Sequence, residues 1–127
     1  MSLETSTVFK YNGAEYEFDF SDADNAEAYE KAIKQMEVDE KKLEKDGTAA
    51  ALIRGQCAFL KKFFDEVLGA GAGEAVCGAK DNLLNCYEAY DAFLAFIRAQ
   101  NQNIISRKNS FGKYSNREQR RHPAKSK

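Results

Sequence analysis

The chain contains a single proline, Pro123, so almost its entire length of 127 residues is free of the residue that most strongly breaks helices. Within that length, apolar side chains recur at the three- and four-residue spacing of amphipathic helices. A chain of this length is by default one domain, and it can bury a sufficient core without metals or disulfides. The sequence therefore predicts a mainly α-helical domain with about three long helices.

The N-terminal segment departs from this helical spacing. Residues 7–11 and 14–20 alternate between apolar and polar side chains, and Asn12-Gly13 lies between them. Both turn residues tolerate the positive φ angles of a type I′ turn, so the segment predicts a small β-hairpin and an α+β fold. Tyr16, Phe18 and Phe20 share one face of it. Because an isolated hairpin is marginally stable in water, this aromatic face should cover a helix or a partner chain.

Capping residues and glycines predict the limits of the helices. The first helix should start at Ser21-Asp22 and run to about Lys45, and the second should run from Thr48 to about Leu68. The second is the most hydrophobic, and Phe64 lies within its apolar stripe as an expected core residue. Residues 69–73 should end it, and a short helical turn should follow over 74–77.

The last long helix, from about Asn82 to Ile105, has a wider apolar surface than one packing face needs. One row has the spacing expected of the core-facing side, and it comprises Leu83, Tyr87, Tyr90, Leu94 and Ile97. Phe93 and Phe96 lie off that row. We expect either that the hairpin covers them or that, with Tyr16, Phe18 and Phe20, they contact another chain, in self-association or around an apolar helix.

Charge is distributed unevenly along the chain. Residues 1–97 carry 10 Lys and Arg against 19 Asp and Glu, a net −9, whereas residues 98–127 carry nine against Glu118 alone, a net +8. This predicts a folded domain over 1–105 and a basic, flexible or conditionally helical tail over 106–127. Arg117, Arg120 and Arg121 are its candidate contact residues. The tail has three open interpretations: it binds an acidic protein, it binds nucleic acid, or it binds neither.

The sequence argues against catalysis and against cofactors. The sequence has three cysteines without the spacing of metal ligands, and we interpret them as small buried residues in a reducing compartment: Cys57, Cys77 and Cys86. The one histidine, His122, lies in the tail. No nucleophile and base can be paired, so we expect a non-enzymatic protein without metal or cofactor. The N-terminus lacks the apolar core of a signal peptide and no apolar run could span a bilayer, which favours the bacterial cytoplasm and no membrane association.

Three groups of residues carry a resemblance to a known family. The first is the Tyr11-Asn12-Gly13 hairpin with Tyr16-Glu17-Phe18-Asp19, followed by an acidic helix. The second is Phe64-Asp65-Glu66-Val67-Leu68-Gly69, then Gly71, Gly78, Lys80, Asn82 and Leu83, before an aromatic helix. The third is the ending Asn116-Arg117-Glu118-Gln119-Arg120-Arg121. Together they resemble the small tail assembly chaperones of long-tailed phages and prophages of Gram-positive bacteria.

That resemblance implies a protein that coats the long, apolar, helical tape-measure protein and keeps it soluble while the tail tube assembles around it. The partner would be a tape-measure-like helix, bound in an apolar groove. Two alternatives stay open at this point. One is a structural tail or head–tail component that remains in the particle, and the other is a nucleic-acid-binding regulator that uses the basic tail.

Overall fold

The computed structural model describes residues 5–121, with side chains described through residue 112. The order of elements is β1 (Val8–Tyr11), β2 (Ala14–Glu17), α1 (Ala23–Glu40), α2 (Ala49–Leu68), α3 (Ala72–Cys77) and α4 (Leu83–Arg121). The expected class, a helical bundle with a small N-terminal β-hairpin, is confirmed. Over the described residues, no helix is both long enough and apolar enough to cross a membrane.

The hairpin forms where the Asn-Gly pair predicts it. Asn12 and Gly13 have φ angles of 53° and 83°, the left-handed values that a type I′ turn requires at both central positions. The strands pair antiparallel, with Phe9 opposite Tyr16. A backbone hydrogen bond of 2.7 Å from Phe18 N to Thr7 O continues this pairing past the end of β2.

Side-chain caps start α1 and α2. Asp22 accepts a hydrogen bond from Asp24 N at 2.9 Å, and Thr48 accepts one from Ala51 N at 3.1 Å, so each cap satisfies a backbone donor in the first turn of its helix. The expected end of α1 near Lys45 was wrong, because the helix ends at Glu40. Residues 41–43 form a tightened turn with bonds over three residues, a common way to satisfy the last carbonyl groups of a helix.

Helix α2 supplies the centre of the core, as predicted. Its buried side chains are Cys57, Leu60, Phe63, Phe64 and Val67. The end of α1 is joined to α2 by an ion pair of 2.7 Å between Asp39 and Lys62. This hydrogen bond from Lys62 is the main cause that lowers the pKa of Asp39, with a second from Gln35.

The short helix α3 allows α4 to run in the same direction as α2. Asp65 at the end of α2 accepts a hydrogen bond of 2.7 Å from Gly73 N. Gly73 is buried, and a Cβ atom there would overlap the Lys61 carbonyl oxygen of α2. Only glycine therefore lets α3 pack this closely on α2. Farther along, Phe64 packs on Phe93 with ring centroids 5.7 Å apart.

Helix α4 corrects two predictions. Its buried side chains are Cys86, Ala89, Phe93, Ile97 and Gln100, so the helix is rotated from the predicted core row, and Tyr87 of that row is exposed. The small Cys86 and Ala89 let α4 approach α2, and Phe93 then fills the centre of the core. The helix also continues to Arg121 instead of ending near Ile105. Between 106 and 121 only Gly112 disfavours a helix, and Pro123 comes after the helix.

Candidate interaction surfaces

Phe93 is the hub of an aromatic cluster and not part of a surface. Its side chain is 0% exposed, and its ring centroid lies 5.1 Å from Phe9, 5.8 Å from Phe18 and 5.9 Å from Phe63. The expectation that Phe18 and Phe93 contact another chain was therefore wrong. The hairpin covers this face of α4 within the monomer, the first of the two outcomes that the sequence left open.

The other predicted aromatic residues line the edge of the same cluster. Tyr16, Phe20 and Phe96 are each half-buried against the core. Phe20 stacks edge-on against Tyr29 at 5.6 Å, and Phe96 lies 5.3 Å from Phe9. These half-buried rings pack against the core and close the hairpin onto the bundle.

Gln100 fixes the hairpin to α4. It is 4% exposed, and its side-chain amide donates to Phe18 O at 2.8 Å and accepts from Phe20 N at 2.7 Å. A glutamine amide has one donor end and one acceptor end, so it can satisfy both backbone groups at once. The turn of the hairpin is held separately, by a bond of 3.5 Å from Asn12 Nδ2 to Val76 O in α3.

A small apolar surface, which we call the α2–α4 patch, lies across the first turns of those helices. It consists of Ile53, Gln56, Leu84 and Tyr87, of which Leu84 is 70% exposed and Tyr87 is 39% exposed. Gln56 Nε2 of α2 donates a hydrogen bond of 3.3 Å to the Tyr87 hydroxyl of α4, which links the two helices within the patch. Gln56 Oε1 is buried and has no hydrogen-bond donor within the described residues. The patch therefore offers apolar area beside an unsatisfied acceptor.

A groove adjoins the patch at Gln56. It lies between the end of α1 and the start of α2 and has a volume of about 270 Å³. Leu43, Leu52 and Gly55 contribute to its lining, and Glu40 and Glu44 also line it. A longer apolar ligand could thus occupy both the groove and the patch, since Gln56 belongs to each.

The three cysteines are buried together where α2, α3 and α4 meet. Cys86 lies close to both Cys57 and Cys77. Burial raises the pKa of all three thiols, and that of Cys57 reaches about 11, with the contact to Cys86 as a further cause. Thiols with raised pKa values are poor nucleophiles, which agrees with their interpretation as small core residues. Within residues 5–121, no group of three or more His, Cys, Asp or Glu side chains is arranged to hold a metal.

The predicted basic contact residues lie on the final turns of α4. Arg117, Arg120 and Arg121 belong to its helical backbone, but their side chains fall outside the described part of the structure. The described side chains of Arg107 and Lys108 are exposed, as is Phe111 at 73%. The basic segment is thus presented on a helix that has left the body.

The sequence profile of a family of unknown function, DUF6673, matches residues 12–124. That range includes the second strand, all four helices and the basic segment. The chain belongs to the DUF6673 family. Searches of curated proteins and of solved structures found no match.

For this DUF6673 chain, sequence reasoning missed the residues that form the patch. Leu84 and Ile53 look like ordinary members of helical apolar stripes, and only the packing shows that they remain exposed. Gln56 and Gln100 carry no sequence signal, since a glutamine inside a helix is typical of a solvated face. A signal did exist for Cys86 and Ala89, because small residues spaced by three mark a side where helices approach closely.

Proposed function

We propose that the chain is a non-enzymatic assembly chaperone of a long-tailed phage or prophage, and that it binds an apolar helix of the tape-measure protein. The proposal joins the family resemblance of the sequence to one structural observation. That observation is the α2–α4 patch, an exposed apolar surface that continues into the α1–α2 groove. Grouped exposed apolar side chains on a small protein can mark a site of protein association.

The shape and chemistry of this region suit a helical partner. An amphipathic helix binds by placing side chains at i, i+3, i+4 and i+7 into an apolar groove. Leu84 and Ile53 would contact such side chains, while the groove beside Leu52 would receive the next turn.

Co-purification tests this function. The chain is co-expressed with tagged helical segments of a phage tape-measure protein, and the complex is captured on the tagged segment. Leu84→Asp combined with Ile53→Asp should abolish capture, because both carboxylates enter the apolar contact. Val38→Asp is the control, since Val38 is also an exposed apolar residue but lines neither the patch nor the groove.

The outcomes separate the hypotheses. Wild-type chain that binds no segment would refute the chaperone function. If the double variant folds and still binds, the patch is the wrong surface. Mass spectrometry of purified particles then distinguishes a chaperone, which is absent from the particle, from a structural tail component, which is present.

A nucleic-acid-binding role has one observation in its favour, the exposed basic side chains of α4. The acidic body, with a net charge of −9 over residues 1–97, opposes it because it repels phosphate. Binding to duplex DNA that weakens steeply with salt would support this second function. Binding to the apolar helix alone would exclude it as the main role.

A further inference from the structure

Helix α4 extends well past the body of the protein. Among the described side chains of α4, Gln100 is the last that is buried, and from Asn101 to Gly112 every side chain is exposed except Ile104, which is half-buried. We call residues 101–121 the arm. At 1.5 Å per residue these 21 residues span about 32 Å. A helix of this length without packing partners is only marginally stable in water, so the arm would gain stability from a contact.

The arm continues the packing face of α4. Apolar residues recur every seven positions along α4 as far as Phe111, before Glu118, and they are Leu83, Tyr90, Ile97, Ile104 and Phe111. The first three pack in or against the core, whereas Phe111 is 73% exposed. Helices that pair with each other do so through apolar residues on one face, and a seven-residue step keeps residues close to one face. The apolar row in the arm therefore continues the row that packs in the body, but its Phe111 side chain is not covered by the rest of the described chain.

Charge indicates what that neighbour is. The arm carries six Lys and Arg residues against Glu118 alone. Residues 11–30 carry seven Asp and Glu residues and no Lys or Arg. This acidic segment adjoins the point where the arm leaves the body, because Phe20 N bonds to Gln100 Oε1 at 2.7 Å. Each copy thus has a basic arm and an acidic surface at the arm's base.

We infer that the arm is a dimerisation element, in which the arms of two copies pair antiparallel about a twofold axis. Phe111 is the midpoint of residues 101–121, so it would meet its own counterpart at the axis. The basic end of each arm, with Arg117 and Arg120, then lies at the base of the other arm, beside the acidic segment of the other body. A second copy covers the exposed Phe111 and brings the basic and acidic regions of the two copies together. The inference is independent of the proposed function, because it uses neither the patch nor the groove.

Sedimentation velocity tests the dimer. The wild-type chain should sediment as a species of twice its 14.3 kDa mass at about 50 mM salt and dissociate at about 500 mM salt, because exposed charge pairs are screened. Phe111→Asp should raise the dissociation constant at least about tenfold. Asn109→Asp is the control, since it adds the same charge on the opposite side of the arm and should change the constant little. Circular dichroism should show both variants folded.

Charge reversal tests which surfaces meet. Asp24 and Glu30 are exposed members of the acidic segment, and within the described residues their side chains make no ion pair. Asp24→Lys with Glu30→Lys should weaken the dimer, and so should Arg117→Glu with Arg120→Glu in a separate chain. A mixture of the two double variants should dimerise again, because each reversed arm then faces a reversed body.

Disulfide trapping tests the direction of pairing. In an antiparallel pair centred on Phe111, position 104 faces position 118 of the other copy. Ile104→Cys alone should therefore not cross-link, whereas a mixture of Ile104→Cys and Glu118→Cys should. The native cysteines are buried and should not interfere. Self-linking of Ile104→Cys, a monomeric wild type at low salt, open-ended polymers, or a dimer that survives Phe111→Asp would each overturn the inference.

Discussion

Replacing Gln100 tests whether one buried side chain holds the hairpin on the bundle. Its amide satisfies the carbonyl of Phe18 and the N–H of Phe20 at 2.8 and 2.7 Å. Gln100→Leu keeps the size of the side chain but leaves both backbone groups without their partner. An unsatisfied buried polar group costs about 1–3 kcal/mol, and the Phe20 N–H, which is only partly buried, should fall at the lower end. We expect a total loss of about 2–4 kcal/mol in the free energy of unfolding.

Urea unfolding followed by circular dichroism measures this loss, with Gln102→Ala as a control because Gln102 is exposed on the same helix. Gln100→Glu gives a second signature. A carboxylate can accept from Phe20 N but opposes the Phe18 carbonyl, so its pKa in the folded state should rise and its penalty should be smaller at about pH 4 than at pH 7. A loss below about 0.5 kcal/mol for Gln100→Leu would show that the hairpin is held by apolar packing alone.

Four further outcomes follow from the packing. Phe93→Ala should lower the free energy of unfolding by about 3–5 kcal/mol, measured in urea, since the ring is fully buried. Gly73→Ala should cost at least about 1–3 kcal/mol by the same measure, because its methyl group overlaps the Lys61 carbonyl. The midpoint of thermal unfolding should fall as the pH rises from 9 towards 11, because over this range the Cys57 thiol ionises in the unfolded chain but not yet in the folded one. The fall should be smaller in Cys57→Ala. Deleting residues 107–127 should change the stability by less than about 1 kcal/mol at about 500 mM salt, where the wild-type chain should be monomeric.

The sequence predicted the elements whose signals are local. The Asn12-Gly13 turn and the caps at Asp22 and Thr48 each act within a few residues, so their chemistry can be identified without knowing the rest of the fold. The buried face of α2 could also be predicted, because its apolar residues form one continuous face that includes Phe64. Such signals are reliable when only one arrangement satisfies them.

The orientation of α4 could not be derived in this way. Its apolar residues cover much of the circumference of the helix. Apolar spacing alone therefore allows either of two faces, one through Tyr87 and one through Phe93, to be the buried one. The choice depends on the neighbours: the close approach at Cys86 and the cover that the hairpin provides favour Phe93. The predicted partner-contact residues Phe18 and Phe93 failed for that reason, since a wide apolar helix can be covered by its own chain.

The arm and Gln100 show a different limit. A polar segment with weak periodicity predicts a tail without fixed structure, yet helix propensity alone allows α4 to continue through residues that pack on nothing. The role of Gln100 could not be predicted because its hydrogen-bond partners, Phe18 and Phe20, lie some 80 positions earlier in the chain. Contacts over that separation depend on the whole topology and leave no trace in a local window.

The patch and the arm lie at opposite ends of α4, and this separation bears on how the two proposed surfaces would work together. Leu84 is 27 residues from Phe111, a distance of about 40 Å along the helix. Antiparallel pairing centred on Phe111 would leave both patches free and place them about 80 Å apart, facing outward from the twofold axis. A short apolar helix would reach only one patch, whereas a long helical partner could span both and bind with avidity. Dimerisation through the arms would then favour long helical partners over short ones without adding any contact to the partner itself.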